Sequence, residues 1–239
     1  MKNVQLTEEQ ITKLKQIQLE ILKVFIKACG ELGLKYFVIG GTLIGAVRHE
    51  GFIPWDDDID VAMMREDYEI FIRKAQELLP KKYFVQSIYS EKNLPFNFCK
   101  IRDNETIFVE SSARKFNINH GVSIDIFPLD YYPEEEKAQI KFEKKNKRIK
   151  NRIQIRFSVK QKGCLNKVKG FVIKFVSLFF SRKKDIQRRE KLNTSIKESS
   201  LIANLCGAWG KKEIIDKSVF DDVVQLDFEG LKVKSTGND

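Results

Sequence analysis

The chain has 239 residues, 42% of them apolar, and a net charge of +10, enough for one large domain or two small ones around a substantial core. No apolar run reaches the roughly 18–20 residues of a membrane span, and the N-terminal MKNVQLTEEQITKL lacks the apolar stretch of a signal peptide. The cysteines, Cys29, Cys99, Cys164 and Cys206, form no CxxC pair, which argues against a disulfide framework or a zinc ribbon and for thiols in a reducing cytosol.

In chain order, Thr7 to about Gly30 predicts a helix. Thr7 and Gln10 form a capping box, and Ile11, Leu14, Ile17, Ile21, Val24, Phe25 and Ala28 follow helical spacing, with Gly30 or Gly33 as the stop. Lys35–Ile39 (KYFVI) reads as a buried strand ended by Gly40-Gly41, and Thr42–Arg48 as a short helix. His49–Trp55 is a loop containing Pro54. Asp58–Met63 (DIDVAM) alternates as a strand does. Arg65–Leu79 is helical up to Pro80. Tyr83–Tyr89, Phe96–Arg102 and Thr106–Glu110 are strand candidates, and Gly121–Phe127 (GVSIDIF) is a further strand closed by Pro128.

Beyond Pro133 the texture changes. Glu134 to about Val159 is a long charged helix with Phe142, Ile149, Ile153 and Phe157 at helical spacing. Residues 171–180 (FVIKFVSLFF) are almost wholly apolar, and Arg182–Lys191 is basic and helical. Between Lys141 and Lys191 there are 19 Lys and Arg against 3 Asp and Glu, so the positive excess is local and the remainder is mildly acidic. Such a patch suits an anionic membrane surface, whereas nucleic acid is disfavoured by the absence of aromatic and glycine-rich RNA motifs. The apolar 171–180 segment is too short to cross a bilayer. It either lies in the headgroup zone or packs on the body. The chain divides near residue 133.

Four aspartates, Asp56, Asp57, Asp58 and Asp60, fall within five positions. Carboxylates about 5–6 Å apart repel by roughly 3 kcal/mol at an effective dielectric near 20. On a strand, Asp58 and Asp60 point to one side while Ile59 and Val61 point to the other. Two such carboxylates can share a hard cation such as Mg²⁺, which relieves the repulsion. The alternative is a solvated strand end. Gly40, Gly41 and Thr42 follow a strand and open a helix, so their backbone N–H groups can cradle phosphate or simply make a turn. Asp125, between Ile124 and Ile126, is a third isolated carboxylate on a predicted strand. Strand, Gly-Gly, short helix, acidic strand and a later acidic strand is the order of nucleotidyltransferase-fold enzymes.

The run GGTLIGAVRHEGFIPWDDDIDVAMMREDY, with the later IDIFPLD (Ile124 to Asp130), resembles the LicD family of bacterial phosphorylcholine transferases, relatives of the fukutin-type phosphosugar transferases. The match spans roughly residues 36–70 and 121–130. The resemblance implies an α+β, nucleotidyltransferase-like mixed β-sheet flanked by helices. Residues 1–133 would form the catalytic body, and 134–239 a basic, mostly helical C-terminal region packing on it. It implies transfer of phosphocholine or a similar group from a CDP-linked donor, CDP-choline in the best-known members, to a sugar hydroxyl on teichoic acid, lipopolysaccharide or a related precursor, with CMP released.

Carried onto this sequence, Asp58, Asp60 and Asp125 would bind Mg²⁺ or Mn²⁺, and Asp125 would take the proton of the attacking hydroxyl. Gly40, Gly41 and Thr42 would contact the diphosphate, with Arg48, His49 and Lys100 as side chains that could meet phosphate charge. Asp56 and Asp57 would support the ligands or position Trp55. A choline cargo would call for an aromatic cage, for which Trp55, Phe52, Tyr131 and Tyr132 are available unless they serve the core. Family members run on past a segment like Phe228–Val233 (FEGLKV) into an aromatic-Gly-Asp motif, so the resemblance implies a short C-terminal part here. Two other readings fit less of the sequence: transfer of NMP from an NTP, and a non-catalytic membrane or nucleic-acid binding module.

Overall fold

A computed structural model describes residues 6–155 and 181–237. Helix α1 (Glu8–Leu32) starts at Thr7, whose hydroxyl accepts from the Gln10 N–H while the Gln10 side chain accepts from the Thr7 N–H. Glu8 and Glu9 sit at the positive end of the helix dipole. The helix ends at Gly33, in the left-handed region at φ 67°, where its N–H meets the carbonyls of Cys29 and Gly30. Ile21, Leu22 and Phe25 are fully buried, each worth roughly 1.5–3 kcal/mol of transfer free energy.

Strand β1 (Phe37–Val38) leads into α2 (Gly40–His49). Strand β2 (Asp60–Met64) follows, then α3 (Arg65–Leu78), β3 (Tyr83–Gln86), β4 (Cys99–Asp103) and β5 (Ser123–Tyr131). The sheet order is β1-β2-β5-β4-β3, with β2 and β5 parallel and the other neighbours antiparallel. The architecture is thus the expected mixed sheet flanked by helices. Alternation sorts its two faces. Ile59, Val61, Met63, Cys99, Ile101, Ile124 and Ile126 are buried in one core cluster with α1 and α3. The residues between them carry the polar groups described below.

Most predicted strand bounds shift by a few residues, and two expectations fail. Pro128 does not close β5; it lies inside it, opposite Met63. Asp125 N–H donates to Ile59 O in β2, so alternation points the Pro128 nitrogen to the other edge. There β4 pairing has ended at Ile126 and β6 pairing begins at Asp130, so no ladder bond is lost. Thr106–Glu110 is not a sheet strand. Over residues 123–126 both edges of β5 are already taken, and Phe108 N–H instead donates to His120 O at 2.6 Å.

Beyond Pro133, α4 (Glu136–Ile155) buries Phe142, Ile149 and Ile153 as their spacing predicts, and α5 (Arg182–Asn193) buries Ile186 and Leu192 beside them. Phe157 and the 171–180 segment lie outside the described residues. The C-terminal region also contains four strands that periodicity did not assign. These are β6 (Leu201–Ala203), which extends the main sheet from β5, β7 (Ile214–Asp216) beside it, and the separate hairpin β8 (Val223–Phe228) and β9 (Leu231–Thr236). Three-residue strands are too short to show a period. The hairpin turn uses Glu229 and Gly230, both at positive φ. Glu229 Oε1 accepts from Phe52 N–H at 3.1 Å, and Glu229 N–H donates to Glu50 O, so the hairpin tip holds the loop leading into the aspartates.

Candidate active site

The parallel register sets Asp60 of β2 opposite Asp125 of β5, and the antiparallel register sets Lys100 of β4 beside Asp125 and Gln86 of β3 beside Lys100. One row across four strands therefore reads Asp60, Asp125, Lys100, Gln86 on the same face. Lys100 is 4% exposed. Its Nζ lies 2.7 Å from Asp125 Oδ1 and 3.0 Å from Glu110 Oε1. Glu110 also accepts from Arg102 Nη2 at 3.1 Å; the remaining Arg102 donors go to Gln86 Oε1 and Gly121 O.

The carboxylates are crowded. Desolvation first, then Asp125 and Asp58, push the Asp60 carboxyl up to about 8. Desolvation, then Asp56, push Asp58 up to about 7. Burial raises Asp125 also, against the pull of Lys100. Glu110 goes the other way, held below its usual range by Lys100 and Arg102 against the cost of burial. The site thus has an electrostatic deficit of positive charge centred on Asp58 and Asp60, and all-oxygen donors of that kind suit a hard cation. Among the described residues, no three His, Cys, Asp or Glu side chains converge as a ready-made ion cage.

The Gly40-Gly41 corner is built tightly. Gly40 takes φ 58°, which lets the chain turn from β1 into α2, and a Cβ there would stand 3.4 Å from Asp60 Oδ2. A Cβ at Gly41 would collide with the Asp56 carboxylate, so Asp56 stands against the start of α2, at its positive end. Thr42 is buried, and its hydroxyl accepts from Asp60 N–H at 2.8 Å, tying the start of α2 to β2. Gln18 of α1, buried, donates to Asp57 O at 3.0 Å and Ser123 O at 3.3 Å, fixing the acidic loop against β5.

Of the residues singled out in the sequence, the fold gathers Asp58, Asp60, Asp125, Lys100, Gly40, Gly41 and Thr42. It does not gather Arg48 and His49, which are exposed at the far end of α2, roughly 12 Å of helix from Gly40. The candidate cage aromatics scatter too. Phe52 packs on Phe228, Tyr132 on Phe142, Tyr131 OH accepts from Lys217, and Trp55 is 85% exposed. The aromatics beside Lys100 are Phe96 and Phe98, stacked at 4.5 Å, with Phe127 4.6 Å beyond Phe98. Glu110 and Arg102 were not legible as site residues, because the loop that returns Glu110 to β4 has no periodic signature. Cys29, Cys99 and Cys206 are unpaired thiols among the described residues.

Acidic strands paired in parallel beside a Gly-Gly corner define a class, and comparison with known proteins gives the family. The model of the LicD/FKTN/FKRP nucleotidyltransferase domain matches residues 33–169. The chain belongs to this LicD family. It is 31% identical over 241 residues to the lipopolysaccharide cholinephosphotransferase LicD of Haemophilus influenzae, an alignment covering 96% of this chain and 85% of that protein. An uncharacterized protein of Rickettsia prowazekii is 32% identical over 145 residues, covering 58% of this chain and 52% of its own. Human ribitol 5-phosphate transferase FKRP is 28% identical over 108 residues, covering 44% of this chain and 21% of its own.

Proposed function

We propose that this chain is a phosphotransferase that moves phosphocholine, or a related phospho-substituent such as phosphoribitol, from a CDP-linked donor to a hydroxyl of a cell-surface glycan precursor, releasing CMP. The observation that carries the reading is the parallel pairing of Asp60 with Asp125 inside the family's two motifs. The Haemophilus relative, a lipopolysaccharide cholinephosphotransferase, and the human one, a ribitol 5-phosphate transferase, suggest the substituents.

The chain's own groups divide the work. Asp125, raised above its ordinary range by burial yet still accepting from Lys100, would take the proton of an acceptor hydroxyl. Lys100 keeps that carboxylate oriented and offers positive charge to a phosphate oxygen. Thr42 and Gln18 hold the backbone of the acidic segment, so that Asp58 and Asp60 keep their spacing. Asp58 and Asp60 are the residues that would hold Mg²⁺ or Mn²⁺, and Asp125, paired with Lys100 here, would join them as a third carboxylate only on leaving that partner. When bound, such an ion neutralises diphosphate charge. No described helix is long and apolar enough to cross a membrane. The exposed Lys183, Lys184, Arg188 and Lys191 of α5 would suit peripheral contact with an anionic membrane carrying a lipid-linked acceptor.

The test is incubation of the purified chain with Mg²⁺ and, in turn, CDP-choline and CDP-ribitol. CMP release that disappears in Asp60→Asn supports the proposal. Pyrophosphate release from an NTP, without CMP release from either donor, overturns it.

A further inference from the structure

A cavity of about 440 Å³ opens beside Asp125, between the polar face of the sheet and the α4–α5 pair. Its walls include Phe96, Phe98, Lys100 with its carboxylate partners Asp125 and Glu110, Lys150 of α4 and Arg189 of α5. A neighbouring cavity of about 270 Å³ shares Lys150 and Arg189 and adds Lys147 and Lys211.

Arg189 is the unusual member. Of the buried guanidinium groups, Arg65 is bidentate to Asp130, and Arg102 meets Glu110. Arg189, 7% exposed, donates among the described residues to neutral acceptors, Asn146 Oδ1 at 3.3 Å and Leu205 O at 2.7 Å. Among the described residues no carboxylate lies within ion-pair distance of it, and residues 156–180 contain no Asp or Glu that could supply one. Lys150, half-buried on the same wall, also has no carboxylate at that distance among the described residues. A guanidinium removed from water needs an anion, and if the protein does not provide one, a ligand can.

The corner at Gly41, by contrast, already faces the Asp56 carboxylate. A guanidinium that no described carboxylate pairs thus lies on the α4–α5 side of this space. Stacked Phe96 and Phe98 line the same space, and such low-dielectric walls strengthen a phosphate's attraction to the three cations.

We propose that the cavity between Lys100, Lys150 and Arg189 is a phosphoryl-binding subsite, where a phosphate group of the substrate supplies the counter-charge that Arg189 lacks. The transferase reading bears only on which substrate brings that group: the diphosphate of the donor, or a phosphate carried by the acceptor.

Calorimetric titration of the full chain in EDTA with pyrophosphate, CMP and glycerol 3-phosphate tests it without a contribution from divalent ions at the aspartates. Arg189→Gln and Lys150→Gln are each expected to weaken binding by about tenfold or more, the loss of one charge-assisted contact, while Asp58→Asn does not weaken it. Lys150 makes no packing-critical bond, so its variant remains informative if Arg189→Gln fails to fold. Loss confined to pyrophosphate and CMP assigns the subsite to the donor; loss confined to glycerol 3-phosphate assigns it to the acceptor. Absence of saturable binding by the unaltered chain, or unchanged affinity in both variants, overturns the proposal. If phosphate binding depends on Arg189 and Lys150 but no CDP-linked donor yields CMP, the transferase reading falls and the subsite stands.

Discussion

Lys100 and Asp125 stand opposite each other on antiparallel strands, 2.7 Å apart at Nζ and Oδ1, and Lys100 simultaneously holds Glu110. One buried ammonium thus bridges two carboxylates, one from β5 and one from the loop after β4. Lys100→Met leaves both without their shared cation, and removing one partner of a buried pair costs about 3–5 kcal/mol. The expected result is a large drop in urea-melt stability, partly recovered by adding Asp125→Asn. A double-mutant cycle measures the coupling, and additive effects would show that the contact carries no energy.

Asp60→Asn is expected to separate stability from activity. Above pH 8, where Asp60 is ionised, it removes a charge repelled by Asp125 and Asp58, so the cation-depleted protein should melt a few degrees higher there, at roughly 2–4 °C per kcal/mol for a chain of this size. CMP release should fall by about a hundredfold or more, as expected for loss of a group that organises phosphate charge. A thermal melt in EDTA alongside a CMP assay reads both.

The pH dependence has a fixed sign. Asp58 and Asp60 titrate in the folded chain near 7 and 8, against about 4 unfolded. The native state therefore binds more protons between those values, and stability falls as pH rises from about 4, levelling off above about 8. Urea melts in EDTA from pH 5.5 to 8.5 should show that decline. Asp60→Asn should flatten it, and excess Mg²⁺ should oppose it at the alkaline end. A stability that climbs toward pH 8 without divalent ions would contradict the crowding of these carboxylates.

Glu229→Ala removes the side chain that caps Phe52 N–H while leaving the hairpin turn in place. Amide exchange at Phe52 should speed up. Global stability should drop by only about 0.5–1.5 kcal/mol, the usual worth of one hydrogen bond. Unchanged exchange at Phe52 would mean that the tip does not hold the loop.

Much of the site could be read from spacing, because local rules and the tertiary solution agree there. Thr7 with Gln10 caps α1, Gly40 turns a strand into a helix, and alternation separates Asp60 from Ile59 and Val61. The failures are of another kind. Pro128 was taken for a strand end because its missing N–H is costly only where a partner strand exists, and that depends on where β4 and β6 stop. Asp130 looked like motif continuation, but it is the bidentate partner of Arg65 on α3, which also reaches Glu190 of α5. Arg48 sat close to the aspartates in sequence, yet the axis of α2 carries it away. Phe96, Phe98 and Arg189 carried no sequence signal, since their meaning arises only when β4 and α5 meet. The DFEG turn of the last hairpin was readable in principle, with polar and apolar residues alternating on either side.

Strand β5 joins regions that the sequence separates. Its first half lies between β4 and β2 and presents Asp125; its last two residues clasp β6. Asp130 lies five residues on from Asp125, roughly 16 Å along extended backbone. A displacement of the later layers can therefore pull directly on the carboxylate proposed to accept the proton, as a rod transmits a push, so crowding at the β6 seam should register as altered turnover even when every aspartate is intact.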